Sequence, residues 1–497
     1  MKAACLDASQ PAAYLTLSHA NSTMSRSSKS NSHSAKARSR SSSRAPGGSR
    51  SHRKPYLESE GSPAAKYASR AREKARKMRE AIAVRGEPEI NLRLIAQKAM
   101  EKYGFETSFS LVIEAKANAL DEGTVERAIA GVKDMRHLPW SSIGDADGMC
   151  VEQAEYCERG QGGSIVVKVA IADVDAYVPK GSLLDGQAQA SATTVYTKAE
   201  TFPMLPERLS CDLSSLQMEN DRLAIVAEFA VLPRGNVRAG KVYRAVVRNK
   251  ARLGYDEVGA WLEGGEKPEM ADEIPGLEEQ LKLQEEASAR MNKFRSQCAP
   301  EQAQESGTAA NEGKTLGLCV IEKGRARGII ENFMIGANAA MESALEGANA
   351  PVIRRVIKTP KSWEGIVALA RARGFELPPA PDAAALSEFL KKEKADGPEK
   401  FSDMSLAVAK LLGSGEYCVF DRTSQPEYFC LAVANYSHRA SPNGKYIDLI
   451  AQRLLKAALA HTAPRYGMDE LVELAKWCTD RGHAARQVEK SVKYVKA

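Results

Sequence analysis

The chain has 497 residues, a formal net charge of +7 and 43% hydrophobic residues. That length and composition are typical of a globular protein with a large core. No apolar run approaches the roughly 18 residues of a membrane-spanning helix, and the N-terminus shows no secretory pattern. The nine cysteines are scattered without a CxxC pair, which favours reduced thiols and argues against a zinc site. We therefore expect no membrane partner and a cytoplasmic location.

The positive charge is concentrated near the N-terminus. Between Ala8 and Leu57 there is no acidic residue, while lysine and arginine recur throughout the stretch. A Ser/Arg-rich segment of this kind cannot bury a core, so residues 1–60 are predicted to form a disordered tail. Mobile basic tails suit polyphosphate partners such as RNA. A solubilising tail, or a chain that truly starts at Met24, explains the composition equally well.

Residues 61–136 are predicted to be helical. A basic helix is expected over 63–84, an amphipathic helix over 88–103 with Gly104 at its end, and a third helix near 121–134. Such helices can form a small unit like a helix-turn-helix. Packing of helices on the next domain explains the same pattern, so the sequence leaves both interpretations open.

From residue 137 onward the chain mixes strands and helices. Residues 164–170 and 221–229 are rich in β-branched and apolar residues, which is typical of buried strands. A polar loop is expected over 297–313. Helical patterns follow at 276–296, 328–349, 361–374, 383–395, 446–460 and 468–492. Because strands precede helices and do not alternate with them, the predicted class is α+β.

Six separated segments resemble the catalytic RNB domain of the ribonuclease II/R family. They read LPWSSI, VAIADVDAYV, VYTKAETFPMLPERLSCDLSSL, DRLAIVAEF, RGIIENFMIGAN and YSHRASPNGKYIDLIAQRLLKAAL. The resemblance runs from about residue 108 and implies an RNB fold over 137–497. It also implies 3′→5′ exoribonuclease chemistry with Mg²⁺ or Mn²⁺. The flanking cold-shock and S1 barrels of longer members are expected to be absent.

The residues expected to bind metal depart from the family pattern. Two-metal hydrolysis needs several carboxylates around the ions. With Ile143 and Ala154 as anchors, a gapless match puts the family's four catalytic aspartates on Gly144, Cys150, Glu152 and Gln153. Only Glu152 keeps an acid. Two interpretations of the nearby acids are possible. Asp145, Asp147 and Glu152 either bind a single metal ion weakly or are surface residues of a polar loop without a metal.

The late phosphate-binding motif is altered as well. Where the resemblance implies a catalytic arginine, this chain has Gly444, and Lys445 is the nearest cation. Lysine supplies charge but not the two-pronged contact of a guanidinium. The candidate catalytic residues are therefore Glu152 and Lys445 alone.

Residues that bind RNA in the family are better preserved. Tyr196 stands where the resemblance implies an aromatic that stacks on the terminal base, although a packed core tyrosine is the alternative. His438, Arg439 and Lys445 lie where the family's chain approaches phosphates. Three cations that alternate along one predicted strand either line a channel or form a solvated face: Arg248, Lys250 and Arg252.

The sequence therefore predicts a protein that binds single-stranded RNA and carries a degenerate nuclease centre. Two alternatives stay open. One is an active metal-dependent exoribonuclease with a rebuilt metal site, and the other is a protein-interaction scaffold.

Overall fold

The structure is a computed structural model that describes residues 91–120, 123, 131–146, 148–297, 324–397, 401–431 and 441–493. The predicted tail, the predicted helix over 63–84 and all but the first residue of the predicted loop over 297–313 lie outside these ranges. None of the helices within them is long and apolar enough to cross a membrane.

Two helices precede the main sheet within the described residues; the first lies within the helix predicted over 88–103, and the second was not predicted. Helix α1 (Leu92–Lys102) is capped by the Asn91 side chain, and α2 (Leu111–Asn118) is capped by Ser110. Each cap accepts a backbone N–H that the helix itself leaves unpaired. The third predicted helix is wrong at its end, because Lys133–Asp134 forms strand β1 of the main sheet. Sheet pairing there overrides the local helical pattern.

The main sheet has six strands and closes on itself. Besides β1 they are β2 (Trp140–Gly144), β3 (Gln153–Arg159), β4 (Ile165–Ala172), β7 (Asp221–Val231) and β8 (Val237–Gly254). Their order is β1-β8-β2-β3-β4-β7. Strand β7 also pairs with β8, and this additional pairing closes the sheet. All neighbours are antiparallel except β1–β8 and β2–β8. Both strands predicted from β-branched runs, β4 and β7, are confirmed.

One face of this sheet is covered by helices. They are α4 (Tyr255–Leu262), α5 (Glu269–Glu273), α6 (Leu277–Gln297) and α7 (Arg325–Gly347). Helix α7 lies against the sheet through Phe333, which packs edge-on against Phe229 at a centroid distance of 6.2 Å. A Cβ on Gly336 would lie 2.5 Å from the Phe229 ring. A glycine is required there because the helix approaches the sheet too closely for any side chain.

A second, smaller body follows α7. Its elements are β9 (Val352–Ile357), α8 (Trp363–Arg371), α9 (Ala383–Asp396), α10 (Phe401–Leu412), β10 (Glu416–Phe420) and β11 (Cys430–Leu431). The sheet has the order β10-β9-β11, and the helices enclose a separate core around Trp363, Ile366 and Phe389. The predicted helices are confirmed, but the sequence interpretation missed this late sheet. The class is α+β, as predicted.

The remaining elements bring the ends of the domain together. They are α3 (Leu183–Ser191), the short pair β5 (Val195–Tyr196) and β6 (Thr201–Phe202), a π-helical turn (Arg208–Leu213), α11 (Tyr446–Leu459) and α12 (Met468–Lys493). Helix α12 and α1 share an apolar cluster that includes Met100, Phe202 and Val488. The two ends of the described chain therefore meet on one side of the domain, next to β5.

Candidate functional site

Glu152 lies at the centre of the candidate site, immediately before β3. Its carboxylate accepts a hydrogen bond from the Ser441 hydroxyl at 2.5 Å. A Cβ placed on Gly444 would lie 3.7 Å from Glu152 Oε1 and 3.6 Å from the Tyr196 hydroxyl. Three positions that the sequence separates widely are therefore neighbours: the remaining acid, the aromatic, and the glycine that replaces arginine.

Backbone hydrogen bonds set the register between the tyrosine and the late motif. The Thr194 amide donates to the Gly444 carbonyl at 2.8 Å, and the Tyr446 amide donates to the Ala192 carbonyl at 2.9 Å. An isolated bridge joins Thr193 to Lys445. These contacts hold Lys445 beside the segment that leads into Tyr196.

The first turn of α11 orients Ser441. The Ser441 amide donates to the Asp448 carboxylate at 3.2 Å, and Asp448 is fully buried. Ser214 donates to the side-chain oxygen of Asn443 at 2.8 Å. The loop 441–445 is thus attached both to its own helix and to the segment after the π-helical turn. The sequence interpretation missed Ser441 and Asp448, although both lie in the quoted late segment.

Burial decides the ionisation of Glu152. Loss of water raises the pKa of its carboxyl to about 7, and the nearby Asp448 carboxylate acts in the same direction. The Ser441 hydrogen bond and the Lys445 charge only partly oppose that effect. The carboxyl of this one remaining acid is therefore harder to ionise than that of an exposed glutamate.

The hydroxyl of Tyr196 is desolvated, while much of the residue is exposed. Desolvation, and secondarily the Glu152 carboxylate, raise the pKa of its phenol to about 12, so the hydroxyl stays protonated. The residue as a whole is nevertheless 60% exposed. The alternative of a packed core tyrosine does not describe this residue, and its ring face is accessible to a base.

The other positions matched to catalytic aspartates carry no charge. Gly144 ends β2 and Gln153 begins β3. Cys150 is joined to Cys211 by a disulfide across a sequence separation of 61. The expectation that the thiols are all reduced is wrong for this pair. The disulfide was not predicted because two cysteines so far apart in sequence cannot be paired from their spacing. Four other cysteines in the described ranges are free and buried: Cys157, Cys418, Cys430 and Cys478.

The candidate metal ligands do not form a metal site in the described part of the chain. Asp145 is 68% exposed and forms an ion pair with Arg327 at 2.7 Å. Asp147 lies outside the described residues. No group of three His, Cys, Asp or Glu side chains within the described ranges is arranged to hold a metal ion. An exposed aspartate that is already paired with Arg327 and a single glutamate do not supply the set of carboxylates that two dications need.

The predicted cations of β8 have partners within the domain. Arg248 donates to Asp221 at 2.6 Å, Lys250 lies 3.8 Å from Glu219, and Arg252 donates to the Gly148 carbonyl. These contacts argue against a row of open charges along an RNA channel. His438 and Arg439, also predicted to bind RNA, lie outside the described residues.

The domain is a closed mixed sheet covered by helices, and the loop 441–445 lies beside the start of β3. The family model of the RNB domain matches residues 132–461. Ribonuclease R of Escherichia coli K12 is 31% identical over 399 residues, covering 76% of this chain and 48% of that protein. The chain belongs to the RNB-domain ribonuclease family. It spans about half the length of the curated relatives it matches.

Solved structures share the fold. Mycoplasma genitalium RNase R in its apo form is similar with a TM-score of 0.67 at 22% identity, covering 81% of this chain and 64% of that one. The same enzyme in complex with ribose-methylated single-stranded RNA gives 0.66 at 22% identity, with the same coverage. Yeast Ssd1, described as a pseudonuclease, gives 0.59 at 15% identity, covering 82% of this chain and 50% of that one.

Proposed function

We propose that this protein binds single-stranded RNA through a nuclease-like centre that no longer supports metal-dependent hydrolysis. One observation carries the proposal. Of the four positions matched to catalytic aspartates, only Glu152 is acidic, and Ser441 hydrogen-bonds its carboxylate. A two-metal centre must balance about four positive charges. The four matched positions offer at most one negative charge for them.

The RNA-binding half of the proposal rests on Tyr196 and Lys445. An exposed aromatic ring beside a cation is the combination that binds single strands without reading their sequence, and stacking contributes about 1–3 kcal/mol per base. Lys445 has no carboxylate within ion-pair distance in the described ranges, so its charge is available to a phosphate. The Mycoplasma genitalium RNase R complex supports RNA as the ligand, since that relative holds single-stranded RNA.

Two alternatives are less well supported. An active exoribonuclease needs a metal site, and Asp145 is engaged by Arg327. A scaffold without RNA leaves the exposed Tyr196 ring unexplained. The domain boundaries at 60 and 136, the absence of flanking barrels and the cytoplasmic location stay predictions of the sequence.

The proposal is tested by measuring binding and degradation of one labelled oligo(A) in parallel, with Mg²⁺ or Mn²⁺. We expect saturable binding and no shortening of the RNA. Robust shortening that survives Glu152→Ala would mean that another set of residues forms the active centre. Absence of binding, with the protein folded, would favour the scaffold.

A gain-of-function variant sharpens the same test. It restores every altered family position at once: Gly144→Asp, Cys150→Asp, Glu152→Asp, Gln153→Asp and Gly444→Arg. We expect partial Mg²⁺-dependent hydrolysis from the combined variant and almost none from single reversions, because the parts of a metal centre act as a unit. The matched control carries the four aspartates without Gly444→Arg, since a transition-state donor alone can contribute a rate factor of about 100–1,000.

A further inference from the structure

A cleft of about 180 Å³ opens beside Tyr196 and is walled by elements from both ends of the domain. Helix α12 forms one side through Arg486 and Glu489, and the second sheet forms the other through Arg355. Tyr196 and Lys445 line it as well. The cleft therefore borders the nuclease-like centre but is built largely from residues that the centre does not use.

The cleft holds more positive than negative charge. Its lining contains three cations, Arg355, Lys445 and Arg486, and a single carboxylate, that of Glu489. Within the described ranges none of the three cations is within ion-pair distance of a carboxylate. The excess is two positive charges.

The positive charges of Arg355 and Arg486 repel each other in the cleft. Arg355 donates through Nε to the Gly415 carbonyl at 3.1 Å, which leaves its two terminal nitrogens for a ligand. Burial, and secondarily the Arg355 charge, lower the pKa of Arg486. Burial, and then the same two guanidiniums, lower the pKa of His483 on the preceding turn of α12. Besides burial, Arg486 and His483 thus both feel the positive charge of neighbouring guanidiniums.

We propose that this cleft binds a phosphate monoester, the terminal phosphate of a single-stranded RNA whose end base stacks on Tyr196. A monoester carries about −1.5 to −2 charges near neutral pH, which matches the excess of two positive charges, whereas an internal phosphodiester carries only one. Guanidiniums suit this group because they contact two phosphate oxygens at once. The inference rests on the proposed RNA binding, because the base on Tyr196 directs the phosphate into the cleft.

Three threonine hydroxyls near the cleft are already hydrogen-bonded within the protein. Thr193, Thr194 and Thr479 border the cleft. The Glu489 carboxylate, the one group that opposes an anion, is held by the backbone amide of Tyr196 while burial raises its pKa. Its negative charge is therefore weakened where the phosphate would enter.

The test compares one oligo(A) carrying a 3′-phosphate, a 5′-phosphate or no terminal phosphate, titrated against the full chain at one salt concentration. We expect one phosphorylated form to bind about tenfold more tightly than the unphosphorylated form, a difference of about 1.4 kcal/mol. Adenosine monophosphate serves as a fourth ligand. If it binds as tightly as the phosphorylated oligomer, the cleft serves free nucleotides and the RNA-end proposal is wrong.

Variants separate this inference from the function on which it rests. Arg486→Gln should abolish the gain from the terminal phosphate while changing affinity for the unphosphorylated oligomer less than about twofold, and Arg486→Lys should restore part of the gain. Arg371→Gln, an exposed site on α8, is the matched control. Equal affinity for all three oligomers overturns the inference and leaves RNA binding intact. Failure to bind any of them overturns the proposed function itself.

Discussion

At the scale of single residues, the candidate site has fewer charged side chains than the family pattern. Its remaining polar groups are nevertheless held in place by hydrogen bonds. Glu152, Ser441 and Asp448 are connected by hydrogen bonds. A Cβ on Gly444 would lie 3.1 Å from the Ser441 hydroxyl, so the loop is closely packed at the place of the arginine. Burial raises the pKa of the Glu152 carboxyl to about 7. On the proposed function, this one acid stands where the family has a cluster of aspartates, and the site serves binding instead of hydrolysis.

Tyr196→Ala should weaken binding of a short oligo(A) by about 1–3 kcal/mol, because it removes one stacking platform. The melting temperature should change little, since the side chain is 60% exposed. Fluorescence anisotropy and a thermal melt on the same preparation check both parts. Tyr196→Phe, which keeps the ring, should bind like the wild type. A large loss of thermal stability with unchanged affinity would make Tyr196 a structural residue.

Glu155 gives a prediction about pH. It lies on β3, fully buried, and neither carboxylate oxygen has a hydrogen-bond partner among the described residues. Burial raises the pKa of this carboxyl well above its usual value. In the unfolded chain the group ionises near pH 4.5, so above that pH folding must keep a proton on it, and the folded state is penalised increasingly as pH rises.

Glu155→Gln should therefore raise the free energy of unfolding at pH 8, and the gain should shrink as the pH is lowered towards 4.5. Urea denaturation at several pH values measures it. Glu388→Gln, at an exposed position in α9, should show no such trend. A gain for Glu155→Gln that does not vary with pH would show that Glu155 is ionised in the folded protein.

At the scale of elements, buried ion pairs attach α11 to the segment after β4. Arg453 donates to Asp175 at 2.9 Å and to the Val178 carbonyl at 2.6 Å, and lies 2.8 Å from Asp185. Lys456 reaches Asp173 at 2.8 Å. Because α11 begins at the residue after Lys445, this network also positions the candidate site.

Arg453→Met should destabilise the domain by about 3–5 kcal/mol, because it leaves the carboxylates of Asp175 and Asp185 buried with fewer partners. Chemical denaturation measures the change. The matched control is Arg373→Met, which removes a half-exposed ion pair to Glu393 and should cost about 1 kcal/mol or less. Equal effects for the two variants would mean that the buried network contributes no more than a surface pair.

At the scale of the whole molecule, we expect RNA affinity to be divided between the folded domain and the basic N-terminal segment. On the proposed function, the domain supplies one aromatic platform and the three cations of the cleft, which is a small surface for a single strand. The segment from Ala8 to Leu57 has no acidic residue. Its contribution should therefore be electrostatic and independent of base sequence.

Deleting residues 1–60 should weaken RNA binding and flatten the plot of log K against log salt. The slope should fall by about 0.7 for each phosphate of single-stranded RNA that the segment neutralises. Titrations between low and moderate salt measure the slope. A variant that keeps the length but replaces the segment's arginines and lysines with serine is the matched control, and should behave like the deletion. An unchanged slope would show that the segment does not bind RNA.

The sequence by itself determined the family, the α+β class and most helices, because apolar periodicity and ordered motifs are local properties of the chain. The altered catalytic positions stay a prediction from the sequence, made with a gapless motif match that needs no tertiary information. The sequence did not predict strand β1 or the late sheet. Strands of about two to six residues are stabilised by the strands with which they pair, and their own residue pattern is too short to identify them.

Only the tertiary structure decided which of those residues meet. The partners of Asp145, Arg248 and Lys250 come from other elements, so alternation along one strand could not show that these charges are already paired. The Cys150–Cys211 disulfide and the Ser441–Glu152 hydrogen bond likewise join distant segments. The basic cleft exists because α12 packs against β10 and β5, and long-range packing of this kind is not encoded in any single stretch of sequence.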